Sequence, residues 1–411
     1  MTSQEGEPAR AGGIALLRSN GAYLRLWLAR AISFLGDSLG LIALILYASH
    51  QPGGAVAVAL LLLAGDFVPG LLSPFSGLFS DRLPRRDLMV VCELLRGSVI
   101  AVIALAAPPL VPLLALVALQ AVVGTVFRPA SQSAVAELVE DHDLPVANAT
   151  LGFGTNGLEV LGPTLGALLL PFLAVRGVLL ADAVTFVVSA LLLLRLPALA
   201  SSRGQMDREG ILGATRAGMA ATWRMPVVRA VAIAFFVVVA FTGVDDVALV
   251  FLARQLGAGD AVTSLLYAGS GVGLMVALAL LTRFARHVPV PAQVVLGFAL
   301  SSGGNLATGL ARAVPVAFLT QSVRGAGLSL IDVGVNTFLQ RRVPPEIQGR
   351  VFANVYGAVG IAAGISYVAG GVLVQMLGPR PVFVVAGAGG VLTAGVLAIV
   401  LARAHSRAQP L

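Results

Sequence analysis

The arginines of this chain constrain its architecture more than any other feature. All 27 basic residues are Arg, with no Lys, in a chain that is 57% hydrophobic. A bilayer-spanning helix needs roughly 20 mainly apolar residues. Such stretches recur at 23–48, 55–79, 87–107, 110–134, 147–172, 175–196, 227–252, 260–284, 290–311, 313–338, 350–376 and 379–403. Counted from a cytoplasmic N-terminus, 21 arginines fall on the cytoplasmic side of these spans. Four fall on the other side (Arg176, Arg254, Arg312 and Arg380), and Arg96 and Arg324 lie within spans. This is the positive-inside pattern. It predicts an all-α membrane protein of twelve transmembrane helices, both termini cytoplasmic.

Twelve spans use up most of the 411 residues and leave little for a soluble domain. The net charge of +7 is accounted for by the loop arginines, so nucleic acid is not an expected partner. The lone Cys92 excludes an internal disulfide framework. Met1 to Gly21 contains no apolar core like that of a signal peptide, so the first span reads as a retained start-transfer helix. The lack of Lys and the richness in Ala, Gly, Val and Arg suggest a GC-rich bacterial genome, hence the bacterial plasma (inner) membrane.

The longest connection lies in the middle of the chain. It divides the sequence into an N-terminal six-helix half (1–196), a central cytoplasmic segment (197–226) and a C-terminal six-helix half (227–411). Ile211 to Trp223 reads either as an amphipathic helix on the inner leaflet or as a solvated linker. The halves look related. Ala147-Asn148 and Ala353-Asn354 stand 206 residues apart, as do Gly154 and Gly360; Gln120 and Gln321, and Gly124 and Gly325, stand 201 apart. Duplication of this kind is the usual build of a secondary transporter.

The loop after the second span reads Gly77-Leu78-Phe79-Ser80-Asp81-Arg82-Leu83-Pro84-Arg85-Arg86. A carboxylate beside an arginine cluster at a helix end can tie neighbouring helices together, and Gly77 permits their close approach. Ordinary positive-inside charge accounts for the arginines but not for Asp81 or the spacing. In Gly77, Asp81, Arg82, Arg85 and Arg86 the chain resembles the major facilitator superfamily, with Pro84 where that family usually has Gly. The resemblance covers the whole chain and implies two pseudo-symmetric six-helix halves. It also implies that Asp81 approaches the start of the eleventh helix near Arg350. Gly157, Gly162-Pro163 and Gly166 in span 5 are similar to the signature of the family's antiporters, with plain helix packing as the other reading. Val323-Arg324-Gly325 and Gly349-Arg350 resemble the branch that includes macrolide and siderophore exporters.

Charged residues within spans are expensive and usually pair or line an aqueous cavity. Asp37, Asp66, Glu159, Arg324 and Asp332 are the candidates for a cavity that binds substrate and protons. A carboxyl group in an apolar cavity can take up and release protons near neutral pH. Glu93 and Arg96, three residues apart on one helix face, read as a structural ion pair. Asp245 and Asp246 fall in the outer half of span 7, and Asp182 near the outer end of span 6. Depth alone pairs Asp37 with Arg324 across the two halves. Gly152 to Gly157 formally matches a dinucleotide fingerprint but lies inside an apolar helix. His50, His142, His287 and His405 form no zinc pattern. No catalytic residue, metal or cofactor is expected. The sequence therefore predicts a monomeric, proton-coupled exporter of a drug-like or secondary-metabolite small molecule. The alternatives are an importer or facilitator of a small polar nutrient, or a non-transporting sensor on the same fold.

Overall fold

The computed structural model describes residues 13–80, 84–140, 143–199, 211–257, 259–284 and 288–408. Its regular elements are α-helices: α1 (Gly13–Ser19), α2 (Gly21–Ser49), α3 (Ala55–Ser80), α4 (Arg85–Ala106), α5 (Leu110–Leu138), α6 (Leu144–Leu194) and α7 (Ile211–Arg224). They continue as α8 (Pro226–Thr242), α9 (Asp245–Gln255), α10 (Asp260–Phe284), α11 (Val290–Leu310), α12 (Val314–Arg342), α13 (Pro345–Leu377) and α14 (Pro379–Ala408). Among the described residues, nine helical segments are long and apolar enough to cross a bilayer.

The helix ends follow local chemistry. Asn20 caps α2 by accepting the Tyr23 backbone N–H at 2.9 Å. Proline opens α8, α13 and α14, where its fixed φ suits the first turn and no N–H is needed. Because of Pro345, the helix carrying Arg350 starts five residues earlier than the hydropathy suggests, and Arg350 lies in its second turn rather than at its start. The expected fifth and sixth spans are joined without a loop. Their reversal is made by Ala174 alone, at φ 52° and ψ 177°. The expected seventh span is α8 plus α9. Its interruption at Gly243 and Val244 is shallow, since both residues keep near-helical dihedrals. The segment 211–224 is helical and packs on α8 and α13.

Helices in a bilayer gain little from hydrophobic burial against one another and rely on close van der Waals contact at small residues. That is visible where α12 meets α10. A Cβ at Gly325 would fall on the Ser270 backbone, and one at Gly273 on that of Ser322. Large apolar side chains such as Phe172, Leu168, Leu191 and Leu392 remain exposed on the periphery, as a lipid-facing surface requires.

The core separates by depth. At the end where arginines are scarce, one cluster joins both halves of the chain, from Leu39, Val58 and Ile103 to Val247, Leu266, Tyr367 and Phe383. At the arginine-rich end there are two clusters. One holds Tyr23, Met89, Phe127 and Leu193, and the other holds Val231, Phe298, Phe338 and Leu397. Two seams join the halves. In the α3–α13 seam, a Cβ on Gly371 would lie 3.0 Å from the Ala55 carbonyl. In the α6–α10 seam, the Ser264 hydroxyl donates to the Pro163 carbonyl at 2.6 Å. Among the described residues, buried apolar side chains thus join the halves at one end and form separate clusters at the other.

Candidate functional site

Asp66, Arg96, Gln120, Arg324 and Tyr367 each lie ten or eleven residues from the arginine-poor end of their helix, or about 15 Å at the helical rise. They share one level along their helices: Arg96 and Gln120 belong to one network, Arg324 to a second, and Asp66 and Tyr367 lie between them.

The first network lies in residues 33–189. Arg96 of α4 donates from Nη2 to both oxygens of Asp37 on α2, at 2.7 and 2.8 Å. Gln120 of α5 donates to the same carboxylate at 3.3 Å. Glu93, fully buried, accepts from Ser33 at 3.2 Å and lies 3.7 Å from Arg96 Nη1. The guanidinium also stacks over Phe186 of α6, 4.6 Å from the ring centroid. Arg96 therefore holds Asp37 more closely than Glu93, its expected partner. Charge-assisted contacts of this length are the strong ones. A cavity of about 310 Å³ opens beside them, with Asp37, Asp66, Arg96, Gln120, Arg128 and Asp182 among its lining.

The second network lies in the C-terminal half. Arg324 of α12 pairs with Asp245, which is 2% exposed, and lies 3.9 Å from Asp246. Arg324 also donates to Ser270 of α10 at 3.2 Å, and Ser270 donates to Gln321 at 2.8 Å. Asn305 of α11 donates to Asp245 at 3.3 Å, and the Tyr267 hydroxyl donates to the Asp246 carbonyl. The pairing of Asp37 with Arg324 expected from depth is not what the structure contains: each has its partner within its own half. Equal depth says nothing about the direction in which a side chain leaves its helix.

Between the networks, Tyr367 of α13 donates to Asp66 of α3 at 3.0 Å, a contact that crosses the halves. Nearer the closed end, Arg254 of α9 donates to the Ser49 carbonyl at 3.2 Å and to its hydroxyl at 2.6 Å, and lies 3.3 Å from His50 Nε2. Asp332 lies apart from both networks, exposed, and accepts from Asn336 at 2.8 Å.

At the arginine-rich end, Arg85 is buried and pairs with Glu137 of α5, and Arg86 donates to Asp87 at 2.9 Å. Asp81 and Arg82 lie outside the described residues, as do the side-chain surroundings of Gly77, Gly157 and Glu159. A Cβ on Gly162 would meet the Ser38 backbone near 3 Å, and one on Gly166 would meet the Ser264 hydroxyl of α10 at 2.6 Å.

Sequence reasoning did not select Asp182, Asp245, Asn305, Tyr267 or Ser270 as site residues. The repeated glutamines, Gln120 and Gln321, were the usable signal: each proves to be a member of one network.

A family model described as Major Facilitator Superfamily matches residues 26–246 and 231–410. An "Uncharacterized MFS-type transporter YfiS" of Bacillus subtilis (strain 168) is 25% identical over 384 residues, covering 90% of this chain and 91% of that protein. "Macrolide efflux protein A" of Streptococcus pyogenes is 20% identical over 191 residues, 45% of this chain and 47% of that protein. Among solved structures, the nucleoside transporter NupG superposes with a TM-score of 0.74 at 11% identity, covering 92% of this chain and 98% of that one. A bacterial homologue of the iron transporter ferroportin in an inward-facing state superposes with a TM-score of 0.69 at 18% identity, covering 92% and 98%.

Proposed function

The chain belongs to the major facilitator superfamily, a family of transporters rather than enzymes, and on that premise we propose that it is a proton-coupled exporter of an amphiphilic small molecule. The observation that carries this reading is the divided core. One cluster seals the arginine-poor end and two separate clusters flank the arginine-rich end. With the arginine-rich end cytoplasmic, as the positive-inside rule requires, this is the inward-facing half of an alternating-access cycle. The bodies that rock are 1–196 and 227–411, joined by 197–226 on the cytoplasmic side of the plasma membrane.

Asp37 is the carboxylate that exchanges the proton. It lines the mid-membrane cavity, and protonation removes its attraction for Arg96. Asp66, Glu159, Arg324 and Asp332 are further charged groups assigned to substrate and proton binding in this reading. Gly77, Asp81, Arg82, Arg85, Arg86 and Arg350 act at the cytoplasmic gate. Export rather than import is favoured by the partial match to a macrolide efflux protein.

The test is transport by purified protein in liposomes under an imposed pH gradient, with a lipophilic cation and a macrolide as probes. Proton-driven accumulation is expected for wild type. Asp37→Asn is expected to abolish it while leaving downhill exchange measurable. Accumulation against a gradient by Asp37→Asn would remove Asp37 from this role.

A further inference from the structure

Among the described residues, Asp182 is the acid of the first network with no ion-pair partner. It sits on α6, and its side chain enters a gap on α2 left by two glycines one turn apart. A Cβ on Gly36 would come within 2.6 Å of its Oδ1, and one on Gly40 within 2.9 Å of its Cγ. The residue is 1% exposed, and among the described residues neither carboxyl oxygen is in an ion pair or a well-formed hydrogen bond. The adjacent Thr185 hydroxyl spends its proton on the Asp182 backbone carbonyl, 2.7 Å away.

The charged groups facing Asp182 are Asp37 from α2 and Glu93 and Arg96 from α4. Arg128 and Gln120 of α5 line the same cavity. Arg96 pairs with Asp37 while stacking on Phe186, one turn beyond Asp182 on α6. Three carboxyl groups, those of Asp37, Glu93 and Asp182, thus lie around the Arg96 guanidinium. A buried ionised carboxylate without partners is costly enough that such a group takes up a proton instead. Asp37 has the short bidentate contact and is the ionised one. Asp182 has none.

We propose that Asp182 is a second proton-carrying carboxyl group, and that Arg96 exchanges partners between Asp37 and Asp182 during the transport cycle. In the state described, Asp182 carries the proton and Asp37 is the carboxylate paired with Arg96. In the exchange, the O–H bond on Asp182 breaks and one forms on Asp37. Arg96 then leaves the neutral Asp37 and pairs with the new Asp182 carboxylate. One proton moves, no electron does, and the net charge of the cluster is unchanged. The proton on Asp37 now faces the cavity, where substrate competes for the same group. The role of this exchange in transport rests on the proton-coupled reading above; the protonation of Asp182 does not.

The experiment has two arms on the purified full chain. Infrared difference spectra across a pH series read the protonated-carboxyl C=O band. Wild type is expected to show it, Asp182→Asn to lose it, and Asp182→Glu to shift it. A band unchanged in Asp182→Asn overturns the proposal. Should that variant fail to fold, carboxyl-labelled aspartate in wild type distinguishes aspartic acid from Glu93 by the isotope shift, and no shift overturns it. In liposomes, Asp182→Asn is expected to cut proton-driven accumulation at least about tenfold, a coupling loss of about 1.4 kcal/mol, while downhill exchange persists. If wild type shows no proton coupling, the functional reading fails and the infrared arm still judges Asp182. If wild type is coupled and Asp182→Asn is equally coupled, the proposal fails and the functional reading stands.

Discussion

The contact most exposed to test is the one that closes the arginine-poor end. Arg254 on α9 donates twice to Ser49 at the end of α2 and faces His50 Nε2. His50 Nδ1 lies 2.7 Å from the Leu46 carbonyl, so its proton belongs on Nδ1 and Nε2 is free to accept from Arg254. These bonds join the two halves of the chain, and they exist only while that end is shut. Hydrogen bonds from a charged donor contribute about 1.5–3 kcal/mol each when buried. Arg254 is only half-buried, so about 2 kcal/mol for the whole contact is the appropriate scale. Arg254→Gln is therefore expected to raise the open-to-closed ratio at this end by about 30-fold. Spin labels at Gln51 and Gln375, placed across the seam after replacing Cys92 with Ser, report the separation by pulsed electron resonance. The substitution should populate a longer distance. A distance distribution indistinguishable from wild type would refute the assignment of this contact as the closing latch.

Arg324→Ala leaves Asp245 buried and unpaired, so it should destabilise the protein by about 3–5 kcal/mol; adding Asp245→Asn should recover part of the loss in a thermal-unfolding series. Gly325→Val places side-chain atoms on the Ser270 backbone and should lower the melting temperature through overpacking of about 1–3 kcal/mol; a neutral result would mean that α10 and α12 can separate freely. Gly204→Cys, again without Cys92, should resist an impermeant thiol reagent applied to intact cells, and efficient labelling would invert the membrane orientation.

The spans were legible because a long apolar run bounded by Gly, Pro or Arg has few other readings. Most expected boundaries, such as 260–284, coincide with the helices or fall within a few residues. What composition did not reveal was the joining of the fifth and sixth spans at Ala174, since nothing marks an alanine for φ 52°. The site was legible in depth but not in direction. The sequence places Arg96, Arg324, Asp37 and Asp66 along their helices, yet rotation about a helix advances about 100° per residue, and small errors in register redirect a side chain. Asn305 was missed because an uncharged residue in a run of Ser, Gly and Thr looks like packing. Asp182 was seen as a charge near a helix end. Its meaning depends on Gly36 and Gly40, which are far away in sequence and unremarkable there.

The arrangement of partners also says how the halves can move. An ion pair between Asp37 and Arg324 would have spanned the halves, and separating them would have stranded two charges at the bilayer centre. Breaking a buried pair costs about 3–5 kcal/mol. The structure avoids this. Asp37 is neutralised by Arg96 and Asp245 by Arg324, each within its own half. The analogous carboxylates sit on α2 and α9, in the expected first and seventh spans, but the arginine comes from α4 in one half and α12 in the other. The described polar contacts that cross between the halves include Tyr367 to Asp66, Arg254 to Ser49 and Ser264 to Pro163, each hydrogen-bonded rather than an ion pair. These are weak enough to exchange for water in one step. A proton arriving at Asp37 therefore does not have to pull the halves apart. It releases Arg96 inside one half, and the seam has only to lose contacts of ordinary strength.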